Sequence, residues 1–163
     1  MVYGLFTYFQ GLFMNTARNN ILRCALGAVI MIIAYNAAVA QDKAALMAKG
    51  EKVYKAYCQT CHQANGQGLA NVYPPVAKSD YIKAKGIYDV IDGVVNGRKG
   101  PMTVNGKQYN GVMTPIPSTY TDEDIVAVVT YVMNSWGNPG GIATVADVKK
   151  ARKAGAAAKG KKS

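Results

Sequence analysis

The sequence predicts a small all-α domain, and three features carry that prediction. Leu46, Gly50, Val53, Tyr54 and Tyr57 fall at offsets 0, 4, 7, 8 and 11, one face of an α-helix. Ile125, Val128, Val129, Val132, Met133 and Trp136 repeat the pattern at offsets 0, 3, 4, 7, 8 and 11. No βαβ pattern surrounds the segment that follows the first stripe, so nothing calls for a parallel sheet.

Residues 1–40 read as an export signal rather than as fold. Arg18 and Arg23 precede an apolar run from Cys24 to Ala34, and Ala38-Val39-Ala40 before Gln41 fits a small-x-small cleavage site. Counted from Met1 the signal has 40 residues and from Met14 it has 27, and the usual length is roughly 15 to 30. Met14 is therefore the expected start, with cleavage after Ala40. An uncleaved anchor wants about 20 continuous apolar residues, and Tyr35 and Asn36 interrupt this run too early. Arg23 stands where a lipid-attachment site at Cys24 would have a small residue. The expected product is exported, soluble and periplasmic.

The mature chain, Gln41 to Ser163, has 123 residues, which suits one domain with one core. It holds 17 Lys and Arg against 9 Asp and Glu, and seven of those cations lie from Lys149 onward with no acid among them. The globular part is thus near neutral. The expected boundaries are 41–140 for the domain and 141–163 for a basic tail.

In chain order, a first helix is expected from about Asp42 to Tyr57, with Gly50 inside it. A helical Gly costs about 1 kcal/mol relative to Ala, and a close helix crossing there would compensate. Gly66-Gln67-Gly68 and Asn71 read as loop, stiffened by Pro74-Pro75. Ser79 caps a short helix. Ile87, Val90, Ile91 and Val94 form a further helical stripe, ended by Asn96-Gly97. Asn96 to Ser118 has little periodicity and reads as a long ordered loop, with a hairpin turn at Val104-Asn105-Gly106-Lys107. Thr121 and Asp124 have capping-box character at the start of the last helix, and Gly137 and Pro139 stop it. After Val148 there are few large apolar residues, so Lys149 to Ser163 is expected to be disordered.

The chemistry is concentrated in Cys58-Gln59-Thr60-Cys61-His62, at the exit of the first helix. Two thiols three positions apart with an imidazole next to the second is the spacing of covalent haem capture: each sulfur adds to a vinyl group and the His reaches the iron. A zinc site is poorly supplied, because the mature chain has no other Cys and the protein no other His. A dithiol redox centre lacks its βαβ setting. A plain disulfide leaves His62 without a role. One haem c is the expected cofactor.

The iron's second ligand cannot be His, which leaves Met, or an open or Lys-ligated site. Met47 and Met133 sit on helices where packing explains a Met. Met102 and Met113 remain, 40 and 51 residues after His62, and spacing does not separate them.

Over nearly all of Asp42 to Gly137 these residues resemble the class I c-type cytochromes. Gly50, Tyr54 and Cys58 at four-residue steps look like that family's approach to its haem motif, and Tyr131 and Trp136 like the aromatics of its closing helix. Segments such as Tyr109-Asn110-Gly111-Val112-Met113 and Tyr131-Val132-Met133-Asn134-Ser135-Trp136-Gly137 are similar to cytochrome domains fused to some copper nitrite reductases, though this chain has no copper domain. The resemblance implies a class I fold, with N- and C-terminal helices packed around one covalent haem. It implies Met113 rather than Met102 as the ligand, although Thr114 stands between Met113 and Pro115. It also implies that the Pro74 carbonyl orients the imidazole of His62.

The implied function is one-electron transfer rather than catalysis, with His62 and Met113 closing both axial positions of the iron. One rival is a five-coordinate haem binding a small ligand, with Tyr109 or Asn110 as distal donor; another is a subunit of a larger oxidoreductase. Redox proteins with an acidic docking surface are the expected partners, steered by Lys78, Lys83, Lys85, Arg98, Lys99 and Lys107. The tail offers contact with an anionic membrane surface. Nucleic acid is excluded for an exported protein, and the chain is expected to be a monomer unless it is a complex subunit.

Overall fold

The computed structural model describes residues 42–160, and the signal peptide with its cleavage site falls outside the described residues. Residues 42–62 form one continuous helical run, α1. Its middle, Tyr54–Cys58, is π-helical, and Gln59–His62 is a final α-turn. The run thus carries the Cys pair and His62 on the helix itself, five residues beyond the expected end at Tyr57. Gln63 stops it at φ 62, its N–H donating to the Gln59 carbonyl at 2.8 Å.

After a loop come α2, Asp80–Lys85, and α3, Ile87–Asn96. Ser79 caps α2, its Oγ accepting from the Ile82 N–H at 3.2 Å. Gly97 ends α3 at φ 76, a left-handed conformation that suits glycine.

The segment expected as a long loop is instead an antiparallel hairpin, β1 (Arg98–Val104) and β2 (Lys107–Met113). Its turn is where the sequence indicates it: Asn105 and Gly106 have φ 51 and 73, the left-handed pair that a tight two-residue hairpin requires. The strand signal is hidden because Gly100, Pro101 and Gly111 break the alternation of apolar side chains. Asp80 and Asn105 pin the tip to α2, the Asn105 N–H donating to Asp80 Oδ1 at 2.7 Å and the Asp80 N–H to Asn105 Oδ1 at 3.0 Å.

The last expected helix is α4, Asp122–Asn134, with the capping box of Thr121 and Asp124 in place. It is the central element of the core, and Ile125, Ala127, Val128, Val129 and Met133 are buried on it. A β-carbon on Gly50 would lie 2.6 Å from Tyr131 Cβ and closer still to the Ala127 carbonyl oxygen, so α1 and α4 cross at the glycine. This is the compensation that a helical Gly needs.

The basic tail does not follow expectation. Val145–Gly160 is a helix, α5, not a disordered segment beginning at residue 141 or at Lys149. Thr144 starts it, accepting from the Asp147 N–H at 3.2 Å. Val148 and Ala151 are fully buried, and Asn96 Nδ2 donates to the Ala151 carbonyl at 2.9 Å. Arg152 pairs with Asp122 at 2.8 Å, and Lys150 lies 4.8 Å over the Tyr88 ring. Small residues allow this close approach, so the helix needs few large apolar side chains. Among the described residues no helix is long and apolar enough to cross a membrane.

Candidate functional site

One cavity of about 380 Å³ lies among α1, α2, α3, α4 and the hairpin, and Cys58, Cys61 and His62 all line it. The π-turn at Tyr54–Cys58 widens the helix as it reaches Cys58, the first thiol of the pair, a local distortion that helices often carry at functional sites. Tyr54 is buried beneath it and donates its hydroxyl to the Gln63 carbonyl at 2.8 Å, which ties the two ends of the motif together.

The loop after His62 folds back to hold the imidazole. Gly68 N–H donates to the His62 carbonyl at 3.0 Å, and Leu69 pairs with Tyr73. Pro74 is thereby set with its carbonyl 3.0 Å from His62 Nδ1. With Nδ1 as the donor of this bond, Nε2 is the ring nitrogen left for a metal. Burial lowers the imidazole's pKa, and the Pro74 carbonyl works in the opposite direction. A neutral imidazole at neutral pH is the form that ligates.

Burial, reinforced by Cys61, pushes the Cys58 thiol up to about 12. Both cysteines are free. A reactive dithiol centre depends on a depressed thiol pKa, so this environment argues against one. Among the described residues no group of three or more His, Cys, Asp and Glu has a metal-holding arrangement.

The hairpin forms another wall. Its register pairs Arg98 with Met113, Gly100 with Gly111 and Met102 with Tyr109, and all six line the cavity. Met102 and Met113 therefore share one face. They stand four residue pairs apart, about 13 Å along the strands, so they cannot serve one iron atom interchangeably. Met113 is the one packed against the core. Its end of the hairpin is also tied to α1: Tyr57, the residue before Cys58, donates to the Pro115 carbonyl at 3.1 Å and lies 3.2 Å from Thr114 Oγ1. On the other side, Ile116 N–H donates to the Val94 carbonyl at 2.9 Å.

The remaining expectations divide. Tyr109 is buried and lines the cavity, whereas Asn110 alternates to the exposed side of β2. Of the six cations expected around the site, Arg98 alone lines the cavity; it turns inward and pairs with Asp89. Lys78, Lys83, Lys85, Lys99 and Lys107 are exposed. Val72, Tyr73 and Val112, exposed apolar residues, reach the cavity instead.

Two thiols, a neutral imidazole and a thioether thus meet in a largely apolar cavity. This donor set fits a flat apolar macrocycle that is anchored through sulfur and carries one iron. It does not fit a dissociable polar substrate.

Residues 47–136 match the family model described as Cytochrome c. Two Thermus thermophilus proteins named cytochrome c-552 are each 37% identical to the chain over 94 residues, or 56% of its length. The match covers 70% of one and 62% of the other. The cytochrome c subunit of a quinone alcohol dehydrogenase from Gluconacetobacter polyoxogenes is 29% identical over 108 residues, which are 66% of this chain and 23% of that protein.

Proposed function

The chain belongs to the cytochrome c family, as a class I monohaem member that binds haem covalently, and from that premise we propose that it shuttles single electrons between redox proteins of the periplasm. The observation that carries this reading is the meeting of Cys58, Cys61, His62 and Met113 in one cavity. In it Cys58 and Cys61 would tether the haem, while His62 and Met113 would ligate its iron. Haem supplies an iron that alternates between ferric and ferrous states.

The chain's own residues make that alternation easy. Pro74 holds the imidazole in one orientation and one tautomer. A soft, neutral thioether favours the ferrous state and raises the potential. The Pro74 carbonyl on His62 and the packing of Met113 against the core support a site in which both ligands would stay in place between the two states. With His62 and Met113 both bound to it, the iron would have no position left for a substrate.

Exposed Val72, Tyr73 and Val112 at the cavity, with Lys78, Lys83 and Lys99 on the surface, support transient docking of an acidic redox partner. Export rests on the leader read in residues 1–40.

The test is the absorption spectrum of the reduced holoprotein with and without carbon monoxide. No change is expected for the native protein or for Met102→Ala, and an adduct is expected for Met113→Ala. An adduct in the native protein would overturn the two-ligand reading.

Similarity to the alcohol dehydrogenase subunit favours a second arrangement, in which the same carrier is a stable subunit of a larger oxidoreductase. Co-purification of a dehydrogenase from native membranes or periplasm, in constant ratio to haem, distinguishes it.

A further inference from the structure

The fixed charges on the cavity wall, His62 apart, belong to one pair. Among the described residues that line the cavity, Arg98 is the only Lys or Arg and Asp89 the only carboxylate. Arg98 Nη2 donates to Asp89 Oδ2 at 2.5 Å and to the Asp89 carbonyl oxygen. Its Nη1 donates to the Tyr81 hydroxyl at 3.0 Å, and its Cζ lies 5.5 Å over the Tyr81 ring. Gly93 provides the space, since a β-carbon there would come within 2.7 Å of Arg98 Nε. Held on three acceptors, the guanidinium is not free to swing into solvent. The two side chains are 27% and 28% exposed, so water screens them only in part.

Their placement is not symmetric. Arg98 is the cross-strand partner of Met113 and shares its inward face. Asp89 comes from the first turn of α3, where the helix N-terminus favours a carboxylate. Two opposite charges at unequal distances from a point in the cavity offset each other there only in part, so removing either one changes the field.

We infer that Arg98 and Asp89 set the reduction potential of the haem in opposite senses, with Arg98 holding it up and Asp89 holding it down. The inference rests on the reading of this cavity as the haem site with Met113 as ligand. Loss of an electron adds one positive charge at the iron. A fixed cation in the wall opposes that charge and a fixed carboxylate favours it. Neither residue is a ligand of the iron; both act through the field they hold.

The experiment is a spectroelectrochemical titration of the holoprotein and of Arg98→Leu, Arg98→Lys and Asp89→Asn. Neutralising one fixed charge in a partly desolvated wall changes the ferric-to-ferrous ratio at fixed poise about tenfold, a shift of about 59 mV for one electron. Arg98→Leu is expected to lower the potential by about that much, and Asp89→Asn to raise it. Arg98→Lys, which keeps the charge, should stay near the native value. Loss of packing alone would not produce shifts of opposite sign. Shifts of the same sign, or none with Asp89→Asn, overturn the inference. Should Arg98→Leu fail to accumulate as holoprotein, Asp89→Asn decides by itself. Carbon monoxide spectra of each protein keep the two readings apart, because an adduct in the native protein refutes Met113 ligation, whereas unchanged spectra with unchanged potentials refute only the role of the charge pair.

Discussion

Gly50 of α1 lies against Ala127 of α4 so closely that a methyl group on the glycine would overlap the Ala127 carbonyl oxygen. That contact fixes the distance between the helix that carries the Cys-His motif and the helix that forms the floor of the core.

Gly50→Ala tests it, because propensity and packing predict opposite signs. In an isolated helix the change would stabilise by about 1 kcal/mol. Here the obstructing atoms are backbone and cannot rotate away, so overpacking should prevail and destabilise by about 1 to 3 kcal/mol. Thermal unfolding of the holoprotein reads the sign. A raised Tm would mean that the helices part readily and that the crossing is not a constraint.

A second contact between the same helices is electrostatic. Asp124 accepts from the Thr121 N–H at 2.8 Å and from Lys49 Nζ at 2.9 Å, and Lys49 first, then Thr121, lowers its pKa below the ordinary value of 3.8. A depressed carboxylate contributes stability that is complete above its unfolded pKa and is lost as pH falls through the folded one. The native protein should therefore lose stability below about pH 4 more steeply than Asp124→Asn does. Thr121→Ala, which removes the cap, should cost about 1 kcal/mol at neutral pH. Denaturant unfolding at pH 7 and pH 3 checks both; parallel acid profiles for native protein and Asp124→Asn would refute the assignment.

α1 and α4 are legible in the sequence because their stripes keep a 3.6-residue period, and the capping box and stops are local. Cys58, Cys61 and His62 are legible for the same reason, as one contiguous motif. Pro74 and Met113 are not, since only the folded loop and hairpin bring them to the cavity, and they enter the reading through family resemblance. The hairpin is hidden because Gly100, Pro101 and Gly111 replace the alternating side chains that announce strands. α5 is hidden because Ala151 and Gly155 pack by being small, which hydrophobicity does not register. Arg98 reads as a surface cation because nothing in its neighbours reveals that β1 turns it inward toward Asp89.

Tyr57 tests the link between the haem motif and the Met113 segment. Its hydroxyl meets Thr114 Oγ1 and the Pro115 carbonyl, just beyond Met113, while its ring packs 5.9 Å from that of Tyr120. Tyr57→Phe keeps the ring and removes the hydroxyl. It should cost about 1 kcal/mol and loosen the segment, so that carbon monoxide binds the reduced protein measurably where it does not bind the native one. Unaltered stability with no adduct would show that Met113 is held by the hairpin and the Ile116 to Val94 bond alone.

The helix at the C-terminal end of the described residues gives the last prediction. A cationic segment that is merely solvated can be removed or trimmed without effect on the fold. α5 instead buries Val148 and Ala151 completely, receives Asn96 on the Ala151 carbonyl and pairs Arg152 with Asp122. Val148→Ala should then cost about 2 kcal/mol. A chain ending at Thr144 should lose more, because it uncovers the faces of α3 and α4 that α5 protects. Since α3 supplies Asp89 and the Val94 carbonyl that anchors Ile116, the truncated holoprotein should also show a more labile Met ligand, read as faster carbon monoxide binding after reduction. Charge reversal at exposed Lys149, by contrast, should leave stability within about 0.5 kcal/mol of native. A truncated protein as stable as the native one would show that α5 packs without holding the haem cavity in shape.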